Sequence, residues 1–135
     1  MSAHLFIGRY QSPHKGHQAI FDTYLKQGEP ILIAIRDVKT DEKNPLTSQQ
    51  VQKLWQTVYH ANPLVEVIII PDIKSVNYGR GVGYEVKEIQ VTNRIANISA
   101  TDIRNSIKSG SLDWRANVDE SIWSLLESYF EELSD

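Results

Sequence analysis

The stretch His4-Leu5-Phe6-Ile7-Gly8, followed at once by Arg9-Tyr10-Gln11-Ser12-Pro13-His14-Lys15-Gly16-His17, decides how this chain is read. A short apolar run closed by glycine predicts a buried strand, and the polar residues after it predict a loop. From Gly16 onward Ala19, Ile20, Tyr24 and Leu25 fall at helical spacing, and Gly28 stops the pattern. After Pro30 the run Ile31 to Ile35 is continuously apolar, as in a parallel strand buried on both sides. Arg36 to Pro45 is polar and reads as a loop. Thr47 caps a predicted helix whose inner face is Val51, Leu54, Trp55 and Val58, and Asn62-Pro63 ends it. Leu64 to Ile70 forms a third apolar run, closed by Pro71-Asp72. The order β-α-β-α-β predicts an α/β fold with a parallel sheet, right-handed crossovers and helices on both faces. Ligands of such sheets bind beyond the carboxyl ends of the strands, which directs attention to the loops after Gly8, Ile35 and Ile70.

The second half is less regular. Ile73 to Gly83 reads as a loop, Tyr84 to Val91 has a strand composition with interleaved charges, and Arg94 to Ile98 reads as another short strand. Ser99 starts a helix that runs to Lys108 and ends at Ser109-Gly110. Leu112 to Leu133 is amphipathic, with Ile122, Leu125, Leu126, Tyr129 and Phe130 on one side. No repeat, linker or low-complexity segment divides the chain, so a single compact domain over residues 1–135 is expected. Trp55, Trp114 and Trp123 fall at helical positions and read as core or interface residues.

Composition narrows the function classes. The 135 residues are 41% hydrophobic and 23% charged, an ordinary balance for a folded protein. The net charge of −3 argues against nucleic acid or an anionic membrane as the partner. There is no cysteine, which excludes disulfides, thiolate metal sites and a cysteine nucleophile. The longest apolar run, Val67-Ile68-Ile69-Ile70, is too short to span a bilayer. No basic segment leads into an apolar one at the N-terminus, so a cytoplasmic protein is expected.

Two constellations carry chemistry. His14-Lys15-Gly16-His17 sits where the first strand has ended and the first helix begins. Two imidazoles three residues apart then face the same space as the unpaired N–H groups of the helix N-terminus. Gly16 lets a phosphate approach the backbone, while Lys15 and Arg9 add a point charge and a planar donor fork. Such a place suits a polyphosphate and its transition state. The competing readings are solvated loop histidines, or a zinc pair completed by His4, His60 or a carboxylate. The second constellation is Ile98-Ser99-Ala100-Thr101-Asp102-Ile103-Arg104. Two hydroxyls at a helix start, with a guanidinium one turn later, make another anion site. The competing reading is a capped helix with a surface arginine.

Gly8 to His17 closely resembles the GRFQPxHxGH signature of the HxGH nucleotidyltransferase superfamily, and Ile98 to Arg104 resembles its ISxTxxR signature, in the same order. The form Gly8-Arg9-Tyr10-Gln11 is nearer to nicotinamide-nucleotide adenylyltransferases than to cytidylyltransferases. Asn44-Pro45-Leu46-Thr47, Pro71-Asp72-Ile73 and Asp113-Trp114-Arg115 with Val118 resemble stretches of the archaeal type. The resemblance implies a Rossmann-like enzyme that joins a nucleoside triphosphate to a phosphorylated small molecule and releases pyrophosphate. It implies that His14 and His17 stabilise charge at the attacked phosphorus, and that Gly8, Arg9, Tyr10, Lys15 and Gly16 line the nucleotide and its phosphates. Ser99, Thr101 and Arg104 would hold the leaving phosphates, with magnesium bound through the phosphates rather than by the protein. The sequence departs from the pattern in three places. Ser12 replaces a proline, and Val51 stands where an arginine is usual. Asn77 and Tyr78 lie near the positions of an asparagine and of a tryptophan associated with the nicotinamide ring.

The run Gly79-Arg80-Gly81-Val82-Gly83 reads either as a flexible turn or as a lid with Arg80 on an acceptor phosphate. Asn77, Tyr78 and Arg80 are the candidate acceptor contacts. The expected activity is adenylyl transfer to nicotinamide mononucleotide. The alternatives are a cytidylyltransferase, another adenylyltransferase with a sugar- or polyol-phosphate acceptor, and a nucleotide-binding regulator without turnover. The short span between the third strand and Ile98 also raises a homo-oligomer, in which neighbouring chains complete the fold or site.

Overall fold

Ile31, Ile33 and Ile35 place three β-branched side chains on one side of the middle strand, and all three are buried. That strand, β2 (Ile31–Asp37), lies between β1 (His4–Gly8) and β3 (Val65–Pro71), and both pairings are parallel. The register sets Phe6 beside Ile33 and Ile33 beside Val67, so one sheet face carries Phe6, Ile31, Ile33, Ile35, Val65 and Val67. This face forms the wall of the core. The other face carries Leu5, Ile7, Leu32, Ala34, Ile68 and Ile70. It is the more open one, with Leu5 55% exposed and Ala34 buried. The structure is a computed structural model that describes residues 2–81 and 83–134.

The crossover helices are α1 (Lys15–Leu25) and α2 (Ser48–Val58). They bring Phe21 and Tyr24, and Val51, Leu54 and Trp55, onto the core face. Helix α2 starts where a capping box is encoded. Thr47 Oγ1 accepts from the Gln50 N–H at 3.1 Å, and Gln50 Oε1 accepts from the Thr47 N–H at 2.9 Å. At the carboxyl ends of the strands, Arg36 pairs with Asp72 at 2.7 Å and Ser48 donates to Asp37 at 2.8 Å. These contacts tie β2 to the chain leaving β3 and to the start of α2. The result is a single α/β domain whose parallel sheet is flanked by helices, a Rossmann-like arrangement.

Two expectations for the second half are corrected. Arg94 to Ile98 is not a strand: α3 (Asn93–Ala96) is one helical turn, because Thr92 caps the Ile95 N–H at 3.4 Å. Tyr84 to Val91 is not a strand either. It pairs with no strand of the sheet and most of it is exposed, Tyr84 by 56% and Val86 by 68%. Its alternation survives only locally, in the Lys87–Glu85 pair at 3.4 Å between side chains two residues apart. A strand without a ladder partner leaves its backbone to water.

Helix α4 (Ala100–Lys108) begins at Ser99 as expected, the Ser99 hydroxyl accepting from the Asp102 N–H at 3.3 Å. Short 3₁₀ turns at Asp113–Asn117 and Glu120–Ile122 lead to α5 (Trp123–Ser134). Leu126 and Phe130 of α5 enter the core beside Trp114, Val118 and Ile122. Arg115 lies over Trp114 and Trp123, 5.6 and 5.2 Å from their ring centroids, and pairs with Glu127. Trp55 and Trp114 are buried core residues, and Trp123 donates to the Val118 carbonyl at 2.8 Å. Among the described residues no helix is long and apolar enough to cross a membrane.

Candidate functional site

The start of α1 is capped by its own histidines. His14 is the N-cap, and its Nδ1 accepts from the Gly16 N–H at 3.0 Å. His17 Nδ1 accepts from the His14 N–H at 3.1 Å. This is the capping box of Thr47 and Gln50 rebuilt with imidazoles, and it fixes both rings. They stack with centroids 3.7 Å apart and planes within 16°. Burial lowers His14 from the ordinary 6.5 to about 4. Burial, and then the neighbouring His14, lower His17 to about 3. Both rings are therefore neutral near pH 7. Each Nδ1 accepts a backbone N–H, so each proton resides on Nε2. Helix α1 thus begins with two stacked, uncharged imidazoles that cap its first turn and keep an N–H at Nε2.

The neighbours explain why these rings hold still. Tyr10 meets His17 edge to face at 4.9 Å, and Trp55 meets His17 at 5.8 Å. Tyr10 also contacts Phe21 and Trp55, at 5.9 and 5.6 Å. Burial pushes its phenol well above the ordinary tyrosine range. The backbone of Tyr10 has φ +50°, which turns the side chain back over Gly8. A Cβ at Gly8 would stand 2.9 Å from the Tyr10 ring, so glycine is required there. The Tyr10 ring thus supports His17 from the core side. Gly16 is equally constrained, since a Cβ would stand 2.7 Å from His14 Cε1 and 3.4 Å from the Ile95 carbonyl oxygen.

The second constellation is brought to the first. Arg104 is buried, and its guanidinium donates to the Gln11 carbonyl and, at 3.2 Å, to Thr101 Oγ1. Burial draws its pKa down. It is therefore not a surface arginine on a capped helix: it joins the α4 N-terminus to the loop that leads into α1. Ser99 caps α4, and Thr101 is exposed. Arg9 and Lys15 are exposed near the same loop. The Asn44 and Lys43 backbone N–H groups, with the charge of Arg9, hold the Asp41 carboxyl below its ordinary value. Arg9 thus lies within electrostatic reach of the loop between β2 and α2.

Gln11 is the residue that sequence reasoning left without a role. It is buried, and its Nε2 donates to the Leu46 carbonyl while its Oε1 accepts from the Leu46 N–H, both at 2.8 Å. The only prior signal was its place inside the Gly8–His17 stretch. Asn77, Tyr78 and Arg80 are not brought to this site. All three are exposed, and Asn77 bonds its neighbour Ser75 at 2.8 Å. Within the glycine run Gly81 and Gly83 take φ +77° and +80°, which suits a turn, and Val82 lies outside the described residues. The zinc reading finds no third ligand. His4 stacks on Tyr24 at the far end of β1, His60 is exposed beyond α2, and no group of three His, Asp or Glu gathers among the described residues. A cavity of about 330 Å³ opens between Asp41, Glu42, Lys108 and Phe130, on the loop that Gln11 holds through Leu46. In comparisons with known proteins, the chain matches no family model and no curated protein.

Proposed function

We propose that this chain is a nucleotidyltransferase that moves a nucleoside monophosphate from ATP to a phosphorylated small molecule and releases pyrophosphate. The observation that carries the reading is the stacked pair His14 and His17 at the N-terminus of α1, both neutral and each accepting a backbone N–H at Nδ1, which leaves its proton on Nε2. It is supported by the approach of α4: Arg104 donates to the Gln11 carbonyl of the same loop, with Thr101 bonded to that guanidinium and Ser99 capping the helix. The resemblance of Gly8–His17 and Ile98–Arg104 to the two HxGH-superfamily signatures points the same way. Within that superfamily the Gly8–Gln11 form favours ATP as donor and nicotinamide mononucleotide as acceptor.

The chemistry asks little covalent work of the protein. An acceptor phosphate oxygen attacks the α-phosphorus, the bond to the bridging oxygen breaks, and pyrophosphate leaves with that electron pair. The chain has to align the two phosphates and stabilise the charge that builds on the non-bridging and leaving oxygens. His14 and His17 offer two fixed N–H donors, and the N-terminus of α1 adds its partial positive charge. Arg9 and Lys15, both exposed, would supply positive charge, and Arg104 with the α4 N-terminus would hold the β- and γ-phosphates. Magnesium would be held by the phosphate oxygens, as the resemblance implies. When bound, it supplies further neutralisation of phosphate charge.

The test is pyrophosphate release with ATP or CTP across phosphate-bearing acceptors. ATP with nicotinamide mononucleotide is expected to give pyrophosphate and a dinucleotide. Turnover with CTP alone would overturn the adenylyl assignment. Tight nucleotide binding without turnover on any acceptor would identify a regulator instead.

A further inference from the structure

Arg104 is seated by a carbonyl, not by a carboxylate. That carbonyl belongs to Gln11, 93 residues earlier, and the second support is Thr101 Oγ1 on the arginine's own helix. A carbonyl can seat a guanidinium in one place only if its peptide is held. The Gln11 peptide is held by its own side chain, whose carboxamide lies against the peptide of Leu46 with one donated and one accepted bond of 2.8 Å each. Leu46 is itself fully buried and directly precedes Thr47, the cap of α2. One residue therefore fastens three segments: the loop after β1, the start of α2, and α4. No other side chain of this size offers a donor and an acceptor side by side. Glutamate at neutral pH lacks the donor, and methionine lacks both.

We propose that Gln11 is a positioning residue for the phosphate site: its carboxamide, braced on Leu46, sets where Arg104 sits and so sets the grip on the triphosphate. This rests on the phosphate-binding reading given above. Gln11 acts through Arg104 and touches no phosphate itself. Its substitution therefore weakens binding only as far as Arg104 is displaced.

The experiment measures binding of inorganic triphosphate to the full chain by calorimetry. Gln11→Met and Gln11→Glu, both close to glutamine in size, are each placed in the wild-type and the R104K backgrounds. The expected result is a loss of roughly 3- to 30-fold in affinity with Arg104 present, the scale of coupling between neighbouring groups, and no further loss in R104K. In the pyrophosphate assay the same variants raise the KM for ATP and leave kcat within about twofold, because a displaced grip is a binding defect. Unchanged affinity, equal losses in both backgrounds, or a fall in kcat at constant KM each overturn the inference. If Gln11→Met does not fold, Gln11→Glu carries the measurement. If neither folds, Gln11 is a structural residue and the inference falls. A wild-type chain that binds no triphosphate overturns the phosphate-binding reading and this one with it. A wild-type chain that binds, with Gln11 variants that bind equally well, overturns this inference alone.

Discussion

His17 illustrates how one side chain serves two purposes. Its Nδ1 closes the cap of α1 and its Nε2 proton has no hydrogen-bond partner among the described residues, while Tyr10 and Trp55 hold the ring edge to face. His17→Ala is expected to lower turnover at least about 100-fold, the scale of losing one transition-state donor, with a cooperative melting transition retained. Near wild-type turnover would remove His17 from the mechanism. The pair also makes stability depend on pH. His14 and His17 titrate at about 4 and about 3 in the folded chain and at 6.5 when unfolded. Between those values the unfolded chain binds more protons, so folding is favoured above about pH 6.5 and loses stability as pH falls toward 4. Each site contributes up to about 1.4 kcal/mol per pH unit across that window. His14→Asn keeps a cap and removes one titration, so its urea midpoint should fall less steeply between pH 6.5 and 4.5 than that of wild type. Equal slopes would show that the His14 ring is not held neutral.

At the scale of elements, the start of α1 depends on the absence of a Cβ at residue 16. Gly16→Ala would thrust a methyl to 2.7 Å from His14 Cε1, and it also meets the Ile95 carbonyl at 3.4 Å. The His14 ring must then leave its stack. The expected outcome is a loss of about 1–2 kcal/mol of stability through the broken cap, with triphosphate binding reduced more than tenfold; calorimetry and thermal melts read both. Binding at wild-type strength would separate the cap from the site. The three strands, α1, α2 and α4 were legible in sequence because each carries its own signal: a continuous apolar run, or a cap residue followed by helical spacing. Arg94 to Ile98 misled because Ile95 and Ile98 look strand-like in a short window, whereas the deciding contact is the Thr92 cap. Tyr84 to Val91 has the alternation of a strand and lacks a partner, which no local pattern can report. His14, His17 and Arg104 were legible as candidates from residue type and spacing. Gln11 was not, because its role is created by a peptide 35 residues away and by its own carbonyl.

For the whole molecule, the sheet, α1, α2, α4 and α5 share one core, and among the described residues from Lys74 to Gln90 only Ile89 packs against it. Stability is therefore concentrated on either side of an open stretch. Limited trypsin treatment is expected to cut first after Lys74, Arg80 or Lys87, all exposed, and mass spectrometry of the first fragments reads the positions. First cleavage within α4 or α5 would contradict this division. Arg104 and Gln11 bridge that stretch from outside it. A chain nicked there can keep its two halves associated through the shared core and that buried hydrogen bond.

The histidine cap has one more consequence, for purification. A pair of imidazoles three residues apart on a helix usually invites capture by immobilised nickel. Here each Nδ1 is already engaged by an amide and each Nε2 bears a hydrogen. A nickel ion could chelate the pair only by displacing those hydrogens and freeing the first turn of α1. The native chain should therefore pass through such a resin as though these two histidines were absent, and begin to be retained only as that turn unravels.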